Sequence, residues 1–95
     1  MREKAIEGKL VQAVSAVEGI ALKFVSPGMS GTPDRLVLLP GGRVAFVEVK
    51  APGEQPRPLQ LARHRLLRGL GFKVYVLDGV EQIQQILKEI GGDAR

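Results

Sequence analysis

The sequence contains no cysteine, so disulfide staples and thiolate zinc sites are excluded. It has a single histidine, His64, which excludes paired-histidine metal motifs and a His-Asn nuclease. No apolar run approaches the roughly 20 residues that cross a bilayer. The opening MREKAIEGK lacks the apolar core and small-residue cleavage site of a secretory signal, and a cytoplasmic location is expected. Aromatic residues are few. Phe24, Phe46, Phe72 and Tyr75 fall on expected strand positions, where core packing accounts for them better than base stacking. Acids are missing from one segment: between Arg57 and Lys73 lie Arg57, Arg63, His64, Arg65, Arg68 and Lys73, but no Asp or Glu. The formal charge of +4 is therefore concentrated, either as a phosphate-holding patch or as a solvated helix face.

What is present is a chain of 95 residues, read as one domain over residues 1–95 with no repeat or dividing linker. A chain this small buries little more than about 60% of its unfolded surface, so a dimer is the first expectation.

Ile6, Leu10, Val14 and Val17 at helical spacing predict a helix over 3–17, ended near Gly19. A strand over 20–25 follows. Ser26 to Pro33 is turn chemistry and leads into a second strand, 34–39. Pro40-Gly41-Gly42 turns the chain back into a third strand, 43–50, closed by Ala51 to Pro56. Pro58 opens a helix to about Arg68, with Gly69 and Gly71 at its end. On it Leu59, Ala62, Leu66 and Leu70 form the expected buried stripe, and Gln60, His64 and Arg68 line up on a polar face. An apolar strand at 72–77 and a last helix at 80–90 complete the order helix, three strands, helix, strand, helix. The fold class is α/β, a mixed sheet flanked by helices.

Along the third strand, side chains alternate, so Val44, Phe46, Glu48 and Lys50 share one face. Asp34 joins that face if the hairpin loop holds an odd number of residues, as a Gly41–Arg43 loop would, which sets it opposite Lys50; a two-residue loop puts it on the other side unless a bulge intervenes. An odd loop or a bulge is expected. Asp34 and Glu48 then offer the oxygens that Mg²⁺ prefers, with the Val49 carbonyl as a third. Lys50 can orient or deprotonate an attacking water, or stabilise charge developing on phosphorus. That set amounts to metal-dependent phosphodiester hydrolysis. Simple ion pairs of Asp34 and Glu48 with Lys50 and Arg35 on an exposed sheet edge are the bland alternative.

Pro33-Asp34, followed fourteen residues on by Glu48-Val49-Lys50, resembles the PD-(D/E)XK nuclease signature. More narrowly, KFVSPG, GTPDRLVLLPGGRVAFVEVKAPG and PLQLARHRLLRGLGFKVYVLD resemble the VRR-NUC (virus-type replication-repair nuclease) family in its small stand-alone phage and prophage form. The resemblance covers about Lys4 to Ile90. It departs from the family's pattern at Thr32, where Val is expected, and at Met29-Ser30, where basic residues are common.

The resemblance implies a restriction-endonuclease-like fold and Mg²⁺- or Mn²⁺-dependent cleavage of DNA in a bacterial or phage-infected cell. It assigns Asp34 and Glu48 as metal ligands, Lys50 as the catalytic lysine and Gln60 as the helix glutamine pointing at the site. Glu7 is the expected first-helix ligand, with Glu3 one turn earlier as the fallback. It also implies a homodimer that acts on branched DNA like a Holliday junction resolvase. Lys23, Arg35, Arg57, His64 and Arg68 are the expected contacts to the DNA backbone. A flap or single-strand nuclease of the same chemistry, and a DNA-binding module whose acids are structural, are the alternatives.

Overall fold

A computed structural model describes residues 1–91. Helix α1 (Glu3–Ala16) is followed by β1 (Ile20–Lys23), β2 (Arg35–Leu39), β3 (Arg43–Val49), α2 (Pro58–Gly69), β4 (Lys73–Leu77), a 3₁₀ turn (Val80–Gln82) and α3 (Ile83–Ile90). The four strands lie side by side in chain order, the first two pairings antiparallel and β3–β4 parallel. This is the expected element order, with β1 two residues shorter than the pattern suggested.

One sheet face carries the hydrophobic core. Ile6, Leu10 and Val14 of α1 are completely buried against Val37, Ala45, Val47 and Leu77, with Ile83, Ile86, Leu87 and Ile90 of α3 completing the cluster. Each such aliphatic side chain contributes about 1.5–3 kcal/mol relative to exposure. Val17 does not join them. Helix α1 has already ended there, and Val17 is exposed. Gly19 then lets the chain press onto β2: a Cβ at this position would lie 2.6 Å from the Leu38 carbonyl oxygen.

The hairpin between β2 and β3 closes with Leu39 paired to Arg43, leaving Pro40, Gly41 and Gly42 as its three-residue loop. Gly41 and Gly42 both have positive φ, 87° and 76°, which other residues rarely adopt. The odd loop puts Asp34 on the Glu48 face as expected. The loop lies one residue earlier than Gly41–Arg43, however, so continuing the register sets Asp34 opposite Glu48 rather than opposite Lys50.

Helix α2 is inverted relative to its predicted face. Its buried residues are Gln60 and His64, while Leu59, Leu66 and Leu70 are exposed. The reason lies on another element: Gln60 and His64 both find a partner in Glu48 of β3 beneath the helix, and those contacts turn the leucines outward. Phe72, expected in the core, is 45% exposed beside this helix end and packs edge-on to Phe46.

Candidate active site

The second sheet face is read in rows across the strands. Ile20, Leu38 and Val44 form one row, and Leu22, Leu36, Phe46 and Val74 the next. Asp34, Glu48 and Val76 continue this order into a third row at the end of the sheet. The face therefore changes from apolar to ionic within three rows, and the ionic row is where the backbone leaves β3 for α2.

Asp34 is fixed across the strand pair. Its Oδ2 accepts the Val49 N–H at 2.8 Å, one residue beyond Glu48. That leaves the other oxygen of the carboxylate for a further partner. Lys50, mostly buried, places Nζ 3.7 Å from Glu48 Oε2, and its own N–H donates to the Leu77 carbonyl, which anchors the strand end.

Glu48 is 1% exposed and is held from three sides. Gln60 Nε2 donates to Oε2 at 3.0 Å, His64 Nε2 stands 3.3 Å from Oε1, and Lys50 approaches from the strand. Gln60 has a second bond: its Oε1 accepts the Arg57 N–H at 2.8 Å, capping the first turn of α2. A carbonyl oxygen committed to the cap fixes which end of the amide faces Glu48.

Burial, with the Asp34 carboxylate beside it, pushes the Glu48 carboxyl up to about 7, against the opposing pull of the Lys50 ammonium. Burial also lowers the His64 imidazole below its usual range, helped by Arg68 and Lys50, so the ring is neutral near neutral pH. A neutral ring with its proton on Nε2 donates to Glu48, which makes the contact a hydrogen bond rather than an ion pair. His64 Nδ1 is then a buried lone pair with no partner among the described residues.

Several expected roles meet other placements. Glu7 is drawn away from the acidic row: its Oε2 accepts from Arg35 Nε at 2.7 Å. Glu3, the fallback, is the first-helix acid that senses the site. Its carboxyl is raised by partial burial and by Asp34, with Lys50 opposing. Arg35 is not free for phosphate, because besides Glu7 it donates to the Ala21 carbonyl. His64 lies in the interior, and Arg68 bonds the Val74 carbonyl at the far end of α2. Lys23 and Arg57 are exposed, and Arg57 opens α2 next to Gln60. The sequence carried one signal for His64: a Gln60 that points at the site drags its i+4 neighbour inward too.

Among the described residues, no three His, Asp or Glu side chains converge as a preformed metal cage. The donor set still fits a hard divalent cation. Mg²⁺ commonly takes one or two carboxylates and keeps several waters, and an ion held by Asp34 and Glu48 would offset the burial and the mutual repulsion that raise the Glu48 carboxyl.

No family-level sequence model matches the chain. A phage protein named as a candidate nuclease, p44 of Acyrthosiphon pisum secondary endosymbiont phage 1, is 52% identical over 90 residues, spanning 95% of this chain and 96% of p44. A solved structure described as a VRR_NUC domain superposes with a TM-score of 0.84 at 32% identity, covering 90% of this chain and 94% of that one. The fold, the element order and full-length similarity at these levels agree, and the chain belongs to the VRR-NUC family of nucleases.

Proposed function

We propose that the protein is a Mg²⁺- or Mn²⁺-dependent endodeoxyribonuclease that cleaves branched DNA as a homodimer, in the cytoplasm. The observation that carries the chemistry is Asp34 beside Glu48 on one sheet face, with Lys50 Nζ 3.7 Å from Glu48. Asp34, Glu48 and the Val49 carbonyl would hold the ion, with Glu3 rather than Glu7 as the outer acid. Bound there, the ion would acidify a water and polarise a phosphate.

The chain's own residues do the rest. Gln60 and His64 hold Glu48 in one orientation, which keeps the acid pair preorganised instead of paying for it during the reaction. Lys50 projects from the strand end with its ammonium near the acids. In that place it orients the attacking water through hydrogen bonding and stabilises the negative charge that grows on the phosphoryl oxygens. Exposed Lys23 and Arg57 lie outside the acidic row and serve as phosphate contacts, which position the backbone without reading sequence.

Cleavage of labelled four-way junction, flap, single-stranded and linear duplex DNA in Mg²⁺ or Mn²⁺ tests the reading. Paired nicks on the junction are expected. Cutting confined to flaps or single strands would retain the chemistry and reject the junction as substrate. Junction binding without any cleavage would leave a binding module.

A further inference from the structure

We infer that the exposed apolar face formed by the outer stripe of α2 and the uncovered half of the sheet is the surface on which a second copy of this chain docks. The inference rests on the homodimer reading above and locates its interface. Leu59, Arg63 and Leu66 form one stripe of α2, at i, i+4 and i+7, and Leu70, the C-cap residue, continues it. The first turn of that stripe leans on the β1–β2 connection: Arg63 Nε donates to the Ser30 carbonyl, and a Cβ at Gly31 would meet Leu59 Cγ at 2.8 Å. The stripe therefore faces the β1–β2 half of the sheet. There the core helices cover only the opposite face, and Ile20 and Leu22 of β1 are exposed, with exposed Val44 of β3 in the same row as Ile20. Leu70 is 67% exposed and Ile20 57%.

Three features favour a second copy as occupant. With Phe72, these apolar side chains are each at least 36% exposed on one side of the molecule, and a contiguous exposed apolar patch of this kind marks an interaction site rather than ordinary surface. The rows Ile20–Leu38–Val44 and Leu22–Leu36–Phe46 contain no charge, and Arg63, the one charged residue of the α2 stripe, is bonded to the Ser30 carbonyl, so the apolar rows can meet their own image across a two-fold axis without opposing like charges. In p44 the similarity spans 96% of the protein, so that relative has no additional domain to cover the face. The acidic row of Asp34 and Glu48 is next in order on the same face, so the axis that joins the apolar rows would bring both sites to the rim of one composite surface.

The test needs no cleavage, so it fails or succeeds separately from the nuclease reading. Light scattering of the parent should give twice the 10.3 kDa chain mass. The double variant Leu66→Glu/Leu70→Glu should give the single mass with an unchanged circular dichroism spectrum. A parent that stays monomeric, or a charged variant that stays dimeric, overturns the interface. Since the chain has no cysteine, alkylation of Leu70→Cys decides the matter if the charged variant does not fold. Leu70→Cys should react at least tenfold more slowly in concentrated than in dilute solution, while Leu61→Cys, on the other flank of α2, should not. Equal rates at both concentrations for Leu70→Cys would overturn the proposal.

Discussion

Gln60 joins two tasks in one amide: its Oε1 caps helix α2 through the Arg57 N–H, and its Nε2 donates to Glu48. Gln60→Ala should therefore lose on both counts. The missing cap costs about 1 kcal/mol, or roughly 4–8 °C in Tm for a domain of this size. Cleavage should fall about 10- to 100-fold, as when a residue orienting a metal ligand is removed. Thermal melts and single-turnover rates check the two effects; an unchanged rate would mean that Glu48 needs no orienting amide.

His64 is a second orienting contact and belongs to the interior. His64→Ala should destabilise the fold by about 2–4 kcal/mol through the cavity and the lost bond to Glu48. Salt dependence of DNA binding should stay as in the parent, because a buried ring neutralises no phosphate. A shallower salt slope by filter binding would restore His64 to the surface.

The two first-helix acids should separate cleanly. Glu7→Ala removes the partner of Arg35 and should lower stability by about 1–2 kcal/mol while leaving turnover nearly intact. Glu3→Ala should leave stability within about 0.5 kcal/mol but raise the metal concentration needed for half-maximal cleavage. The reverse pattern would return the ligand role to Glu7.

The Glu48 carboxyl, raised from 4.5 to about 7, makes the metal-free protein pH-sensitive. Between those values the folded state binds the extra proton, so this contribution to stability is lost as pH rises towards 7. His64, with its lowered pKa, acts in the opposite direction below its unfolded value of 6.5, so the raw profile of the parent mixes both. The comparison with Glu48→Gln isolates the acid. Its Tm relative to the parent should increase from pH 5 to pH 8, by an amount corresponding to at most ~3 kcal/mol. Mg²⁺ at pH 8 should raise the Tm of the parent and not that of the variant.

The element order was readable from the sequence because each piece carries its own punctuation. Ile6, Leu10 and Val14 mark the α1 stripe, Gly41 and Gly42 the hairpin, and Pro58 the start of α2. The inside face of α2 was not. Hydrophobic periodicity assigns the leucines to the core, but the decisive interaction is a buried acid on another element, invisible to any helix-by-helix pattern. The same holds for Glu7: nothing local distinguishes it from Glu3, and only the fold brings Arg35 within 2.7 Å of it. Strand alternation alone put Glu48 and Lys50 on one face; Asp34 reached that face only through an odd hairpin loop, and its direct opposition to Glu48 depended on which three residues form that loop.

The most direct test of the central claim, that Asp34, Glu48 and Lys50 form a divalent-metal hydrolytic site, is single-turnover cleavage of a labelled four-way junction. Parent and Lys50→Ala, purified identically, are compared with Mg²⁺ and with chelator. The account predicts cleavage only for the parent with metal, and a loss in Lys50→Ala of at least about 10²-fold with junction binding retained. Cleavage that persists in chelator, or at the parental rate in Lys50→Ala, would contradict it.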